Sequence, residues 1–208
     1  MSEAADRRRP RYTWADYQTW ADDQRWEIID GAAYQMSPSP TSRHQRIVGE
    51  LYAAMHPWFK GNPCQLFIAP MDVVLAEDDV VQPDLLVVCD PGQVRRTHIA
   101  GAPALAVEVL SESSLHRDRL LKTNLYARHG VKEFWLVTPW PSMVEVLLLR
   151  DDRYELHAVL GKDQTLASPS FPGLRIALVE IFDFPLEPGE EPPMPSEPPA
   201  PKYGRQAG

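Results

Sequence analysis

The sequence predicts an α/β protein in which a mixed central sheet is flanked by helices and extended by β-hairpins. Three observations support this class. An amphipathic pattern predicts a helix over 42–59, three apolar segments over 67–75, 80–89 and 104–110 predict strands, and a helix over 115–129 leads into a strand over 131–137. Strands that pair locally and strands that alternate with helices therefore occur in one chain, as in mixed α/β domains.

The first 60 residues provide a short helix, a hairpin and a long helix. Thr13 suits the N-cap of a short helix that carries Trp14, Tyr17 and Trp20. Segments 25–29 and 32–36 predict a hairpin, because Asp-Gly at 30–31 favours a tight turn. The long helix follows from apolar residues at helical spacing, and Gly-Asn-Pro at 61–63 ends it.

The rest of the domain adds strands and one further long helix. Residues 67–75 turn at 77–79 into 80–89, most simply as an antiparallel pair, and a loop with Pro91-Gly92 leads to the strand over 104–110. Polar residues 111–114 cap the helix over 115–129, and Gly130 ends it. Segments 143–149 and 154–160 predict a hairpin, and 177–182 predicts a last helical turn.

Composition predicts one folded domain over 12–184, with a flexible N-terminus over 1–11. The tail over 185–208 is rich in Pro and Glu and should be disordered, because it cannot bury enough apolar surface to offset chain entropy. No apolar stretch approaches the roughly 20 residues of a membrane helix. Cys64 and Cys89 are too few for a disulfide framework, Cys89 suits a buried thiol, and a cytoplasmic location is expected.

The net charge of -8 argues against a protein that coats nucleic acid generally. It argues less against a nuclease, because a metal site concentrates carboxylates that are neutralised only when the ion binds. The segment 116–132 carries five Lys and Arg residues against one acid, Asp118. These cations are either a surface for nucleic acid or simply solvated helix faces.

Four residues suggest the chemistry. Asp84 starts one apolar strand, and Glu108 lies within the next, where a carboxylate is expensive to desolvate without a partner or a metal. Their oxygens can hold Mg²⁺ or Mn²⁺ at neighbouring strand ends. Asp118 and Lys122 follow at i,i+4 on one helix face. Two carboxylates and a lysine can bind a metal, orient water and neutralise charge on a phosphodiester.

Each of these residues also has a plainer interpretation. Asp84 could simply start a strand, and Lys122 with Asp118 could be an ordinary surface pair. Glu27 in the first hairpin is a weaker candidate for the metal, and Asp72 a weaker one still. His44, at the start of the long helix, could contact phosphate, although a capping or packing role is expected more often.

Motifs along residues 12–184 resemble the Uma2 family of restriction-endonuclease-like proteins, within the PD-(D/E)-x-K nuclease superfamily. The resemblance rests on the following motifs: WEIIDG at 26–31, SP at 37–38, RHQ at 43–45, APMDV at 69–73, VQPD at 81–84, GAP at 101–103, VEVLS at 107–111, Asp118 with Lys122 and Tyr126, and GVKEFW at 130–135. It implies a restriction endonuclease-like core of helix, three strands, helix and strand. It also implies a divalent metal and DNA as the substrate.

The sequence departs from the superfamily pattern at one position. The lysine of E-x-K would stand at 110, where this chain has Leu110, which cannot donate a hydrogen bond to phosphate or water. The resemblance implies that the lysine has moved to the next helix as Lys122. A metal-dependent endonuclease acting with Asp84, Glu108 and Lys122 is therefore predicted, and a two-fold dimer would suit cleavage of duplex DNA. The alternatives are an inactive DNA-binding or protein-interaction module and, less favoured, another metal hydrolase.

Overall fold

The computed structural model describes residues 10–20, 24–36, 40–111 and 117–185, with only the backbone described for Arg117 and Asp118. The predicted flexible segments 1–11 and 185–208 lie almost entirely outside these residues. The helices are α1 (Trp14–Tyr17), α2 (Ser42–Phe59), a π-helix (Arg117–Lys122), α3 (Thr123–Arg128) and α4 (Leu178–Ile181). The strands are β1 (Trp26–Ile29), β2 (Ala32–Gln35), β3 (Gln65–Ile68), β4 (Asp72–Ala76), β5 (Asp79–Val81), β6 (Leu85–Val88), β7 (His98–Ala100), β8 (Leu105–Val109), β9 (Glu133–Thr138), β10 (Met143–Arg150), β11 (Arg153–Gly161), β12 (Thr165–Ala167) and β13 (Arg175–Ala177).

The predicted core order of helix, three strands, helix and strand is confirmed. It corresponds to α2, the strands β3, β6 and β8, then α3 and β9, and all four strands belong to one six-stranded sheet. In the described part of the chain, its strands run in the order β11-β10-β9-β8-β6-β3. β8 and β9 pair in parallel because the π-helix and α3 connect them, and the other pairs are antiparallel. The sheet is therefore mixed, as the sequence predicts.

A second sheet has the strand order β2-β1-β5-β4-β7. Each of the two long strands that the sequence predicts over 67–75 and 80–89 is therefore split between the two sheets. The chain leaves one sheet for the other at Ala69-Pro70 and again at the segment 82–84, so β3 pairs with β6 while β4 pairs with β5. Proline cannot donate to a ladder, which favours a break in each strand at these points. The prediction of two continuous strands was wrong, although the antiparallel pairing was right.

Local turn chemistry accounts for the parts that were predicted most closely. Asp30 and Gly31 both have positive φ, 52° and 74°, as a two-residue hairpin turn requires. Thr13 caps α1 through a capping box with Asp16. By contrast, β7 lies in the stretch predicted as a loop, where it runs parallel to β4, and the β12–β13 pair was not predicted.

The central strands β6, β8 and β9 of the six-stranded sheet are buried on both faces. Alternate residues of β6 and β8 pack with α2 on one side, as Leu85, Val87 and Val107 do. Residues of the opposite parity, including Leu86 and Ala106, pack on the other side with α3 and the second sheet. Burial on two faces explains why these strands are continuously apolar rather than alternating. Glu108 is the one charged residue in the buried strand β8, so the groups around its carboxylate determine its role.

A disulfide joins Cys64 and Cys89, with a Cα–Cα distance of 4.0 Å. The prediction of a buried free thiol at Cys89 was wrong, because β3 and β6 place Gln65 opposite Val88 and so bring the preceding and following cysteines together. The cysteines therefore no longer support a reducing compartment, and the cytoplasmic location stays a prediction. Among the described residues, no helix is both long enough and apolar enough to span a membrane.

Candidate active site

Asp84 and Glu108 lie opposite each other where β6 and β8 begin to separate. The two strands pair with Leu85 opposite Val107, and one further step in the same register reaches Asp84 and Glu108. The N–H of Val109 donates to Asp84 Oδ2 at 2.8 Å, which fixes the aspartate against β8. The Asp84 side chain keeps 17% exposure, so the site opens towards solvent on the aspartate side.

Lys122 lies between two buried glutamates. Its Nζ is 2.7 Å from Glu27 Oε1 and 2.9 Å from Glu108 Oε1, and all three side chains are at most 4% exposed. The hydroxyl of Tyr126 donates to the same Glu108 oxygen at 2.7 Å. At such depth an isolated ammonium or carboxylate would be costly, so each of these charges depends on the others.

Two helical segments place these donors on one face. The π-helix ends at Lys122, α3 begins at the next residue, and Tyr126 follows four residues after the lysine. Residues at i and i+4 lie one above the other on a helix, so the ammonium and the phenol both reach Glu108. Gly130, at φ +83°, ends this helical stretch before β9.

His44 approaches Asp84 from the other side of the sheet end. It lies in the first turn of α2, where its N–H donates to the capping oxygen of Thr41 at 3.2 Å. Its Nε2 is 3.2 Å from Asp84 Oδ2. The N-terminal end of an 18-residue helix thus lies beside the aspartate, and such an end favours negative charge.

The structure brings together five of the residues that the sequence singled out, including Glu27, which was given less weight than the others. Glu27 forms an ion pair with the buried Lys122 ammonium, and its Oε1 also accepts a hydrogen bond from the N–H of Gln82 at 3.1 Å. The clue in the sequence was a glutamate between apolar residues of a strand. The side chain of Asp118 lies outside the described residues. Asp72 is not at the cluster but contacts Tyr17 and Gln82.

Tyr126 was missed as a functional candidate, although it belongs to a quoted motif. Leu110, two residues after Glu108, is buried in the apolar cluster between the sheets. No cation could replace it without displacing apolar neighbours. Lys122 instead reaches Glu108 from the helix and leaves the apolar packing around Leu110 undisturbed.

The donor set fits a hard divalent cation. Three carboxylates, on Glu27, Asp84 and Glu108, against one ammonium leave a formal charge of about −2 when all four groups are ionised. Among the described residues, Asp84 Oδ1 has no hydrogen-bond donor, whereas Oδ2 is held by Val109. No described group of three or more His, Cys, Asp or Glu side chains could hold a metal ion by itself. Magnesium is commonly bound through one or two carboxylates, with water and phosphate completing its shell, and Asp84 and Glu108 match that number of protein ligands.

Sequence comparison identifies the family. The sequence model of Uma2, described as "Putative restriction endonuclease", matches residues 14–179. The chain belongs to the Uma2 family. An uncharacterized protein of Synechocystis sp. (strain ATCC 27184 / PCC 6803 / Kazusa), slr1290, is 28% identical over 127 residues, which are 61% of this chain and 66% of that protein. The match therefore spans slightly less than two thirds of the relative.

A solved structure supports the fold of this Uma2 chain. The crystal structure described as a putative nuclease belonging to DUF820, from Anabaena variabilis ATCC 29413, superimposes with a TM-score of 0.68. The alignment covers 82% of this chain and 97% of that one, at 21% identity. The likeness establishes that the Uma2 chain shares the fold of that protein.

Proposed function

We propose that this Uma2 protein is a metal-dependent endonuclease that hydrolyses phosphodiester bonds in DNA. The observation that carries the proposal is the buried Lys122, which braces Glu108 directly opposite Asp84. Ion pairs buried without a functional need are often less stable than apolar packing of the same volume. A cluster with excess negative charge beside a partly exposed aspartate is suited to a cation and its phosphate ligand.

Asp84 and Glu108 would hold Mg²⁺ or Mn²⁺. When bound, the ion would polarise the scissile phosphate and make a water molecule more acidic. Lys122 neutralises Glu27 and fixes the direction of Glu108, and Tyr126 adds a second donor to the same carboxylate oxygen. The start of α2 contributes positive potential beside Asp84, where a phosphate would enter next to His44. These groups are oriented before substrate arrives, which lowers the reorganisation needed in the transition state.

The decisive experiment incubates pure protein with single-stranded DNA, duplex DNA and RNA, each with Mg²⁺, Mn²⁺ or EDTA. Cleavage of DNA that requires a metal and is lost in Asp84→Ala supports the proposal. Because Asp84 is partly exposed, this variant should keep its fold, and a circular dichroism spectrum checks that. Cleavage that persists in EDTA, or in Asp84→Ala, would contradict it. Sedimentation with and without duplex DNA tests the accompanying proposal of a two-fold dimer.

One observation favours a second candidate, a nuclease-fold module that binds nucleic acid or protein without cutting. The Lys122 side chain is only 2% exposed, and its ammonium is already shared by two carboxylates. A cation so enclosed stabilises the fold whether or not it acts on a phosphate. Retention of DNA on a filter or in a gel by wild type, with no cleavage under any metal, would support this second candidate.

A further inference from the structure

The segment Gln82-Pro83-Asp84 connects the two sheets and touches both halves of the candidate site. It leaves β5 in the five-stranded sheet and enters β6 in the six-stranded sheet. At its start, the N–H of Gln82 donates to Glu27 Oε1 at 3.1 Å. At its end stands Asp84, held by Val109. The position of this one connection therefore sets the distance between Asp84 and the Glu27–Lys122–Glu108 cluster.

The side chain of Gln82 is buried and uses both ends of its amide. Its Oε1 accepts from Arg25 Nε at 2.8 Å and from Arg25 Nη2 at 2.7 Å. Its Nε2 donates to Asp72 Oδ1 at 2.8 Å and to the Tyr17 hydroxyl at 3.1 Å. These hydrogen bonds to three residues fix the amide in one orientation, since any rotation would leave a buried polar group unsatisfied.

The partners of Gln82 are themselves anchored. Tyr17 donates its hydroxyl to Asp72 Oδ1 at 2.9 Å, and its ring lies between Trp14 and Trp20, with centroids 5.3 and 5.5 Å away. Burial, and then the Asp72 charge, raise the pKa of Tyr17 above its ordinary value, so the hydroxyl stays protonated and keeps donating. Arg25 directly precedes β1, which carries Glu27. The network thus ties the N-terminal segment, β1 and β4 to the connection.

We propose that Gln82 is a positioning residue: through its side-chain bonds to Arg25, Asp72 and Tyr17 it holds the 82–84 connection so that Glu27 and Asp84 stand at their working separation. This inference rests on the proposed nuclease function. Gln82 does not touch the reacting atoms. It acts through its own backbone on Glu27 and through the chain on Asp84.

Replacement of Gln82 by glutamate tests the donor side of the amide. Gln82→Glu keeps the shape and the bonds from Arg25, but it sets a carboxylate against Asp72 in place of a donor. We expect kcat to fall about tenfold or more while KM changes less than about twofold, because misplaced metal ligands impair the chemical step more than substrate binding. A wild-type kcat in a folded Gln82→Glu protein would overturn the proposal.

A second substitution should restore what the first removes. In the double variant Gln82→Glu/Asp72→Asn the polarity is exchanged, since the new amide can donate to the new carboxylate and the total charge equals that of wild type. We expect kcat of the double variant to return to within about threefold of wild type, a coupling that independent sites would not show. A double variant as slow as Gln82→Glu would contradict the proposal.

Tyr17→Phe and Tyr154→Phe form a matched pair of controls. Each removes one buried or half-buried hydroxyl, and Tyr154 donates to the Val131 carbonyl at 2.7 Å, away from the connection. Tyr17→Phe should lower kcat about threefold or more, whereas Tyr154→Phe should change only the melting temperature. Equal kcat values in the two variants would show that the network does not reach the site.

Amide hydrogen exchange separates failure of this inference from failure of the proposed function. Peptides covering 80–88 and 105–110 should exchange at least about fivefold faster in Gln82→Glu than in wild type, and peptides covering 143–161 should not. Exchange needs no turnover, so it tests the positioning role even in a wild type that cuts nothing. Unchanged exchange at 80–88 would overturn the positioning role, whereas absent cleavage with faster exchange would overturn only the nuclease.

Discussion

Glu108 and Glu133 lie on adjacent parallel strands, and both are buried, yet their environments are opposite. Glu108, near the end of β8, is held by the ammonium of Lys122 and the phenol of Tyr126. Glu133, at the start of β9, accepts from neutral donors: the Trp135 indole at 2.6 Å, the Ser168 hydroxyl at 3.0 Å and the Ser170 N–H at 2.8 Å. Among the described residues Glu133 has no ion-pair partner.

The two glutamates also lie at opposite ends of the sheet. β8 pairs with β9 so that Leu105 stands opposite Glu133 and Glu108 opposite Leu136. At the Glu108 end, the partly exposed Asp84 and the first turn of α2 lie nearby. The charged groups at this end are therefore within reach of an ion or a substrate from solvent. At the Glu133 end, the carboxylate ties the turn between β12 and β13 to the sheet. A glutamate in an apolar strand therefore indicates that the carboxylate has a partner. The sequence pattern does not tell whether that glutamate serves a functional site or stabilises the fold.

The largest effect is expected from removal of the shared cation. Lys122→Ala leaves Glu27 and Glu108 buried without this counter-charge, so the free energy of unfolding at about pH 7 should fall by about 3–5 kcal/mol and cleavage should be lost. Denaturant unfolding measures this, with the exposed Lys132→Ala as the control, which should change stability by less than about 0.5 kcal/mol. A Lys122→Ala protein as stable as wild type would remove the argument for a mutually dependent cluster.

Neutralising each glutamate in turn sharpens the comparison. Glu133→Gln should lower the free energy of unfolding by about 1.5–3 kcal/mol, because its donors are arranged for a carboxylate, and it should leave Mn²⁺ binding intact. Glu108→Gln should lose Mn²⁺ binding, because it removes one of the two carboxylates proposed to hold the ion. Calorimetric titration of both variants decides this, and the assignment fails where the two bind Mn²⁺ equally.

Asp79 is an intermediate case, because it accepts from both neutral and charged donors. Burial acts to raise its pKa, but bonds from the Asp30 N–H, His129 and Arg128 outweigh burial and hold the pKa below its ordinary value. Its stabilising contribution is thus complete above the unfolded-state pKa of about 3.9 and is lost as pH falls through the lower folded-state value.

The prediction for Asp79 is therefore an acid-sensitive stability. Asp79→Asn should destabilise the protein by about 1.5–3 kcal/mol at about pH 7, and that difference from wild type should shrink below about pH 4. Unfolding curves recorded from about pH 7 to about pH 3 measure both quantities. The exposed Asp152→Asn serves as the control, and a difference that grows towards acid would reverse the sign assigned to Asp79.

The smallest effects should come from single hydroxyl deletions at the two glutamates. Tyr126→Phe and Ser168→Ala each remove one donor to a buried carboxylate and should each cost about 1–2 kcal/mol of stability. Only Tyr126→Phe should also slow cleavage, since only Glu108 belongs to the candidate site. Thermal melts and cleavage rates of the two variants, compared side by side, test whether the ends of the sheet differ in function as they do in charge.

Much of the fold was predictable because local rules and burial agreed. The spacing of apolar residues predicted α2 from Ser42 to Phe59, and Asp-Gly predicted the turn between β1 and β2. The long pair over 67–89 was predicted as continuous because each strand is largely apolar. Which sheet each half joins depends on long-range pairing, which no local pattern encodes.

By itself, the sequence determined the core order of helix, three strands, helix and strand, the acids on two of these strands, and the leucine at position 110. It also indicated that Glu108 would need a partner or a metal, because a carboxylate in an apolar strand is costly to keep charged alone. Only the tertiary structure decided which groups are the partners of the buried glutamates Glu27, Glu108 and Glu133. Lys122 reaches Glu27 and Glu108 because β1 and β8, which belong to different sheets, meet beneath the same helix, and Coulomb attraction at 2.7 and 2.9 Å depends on that packing.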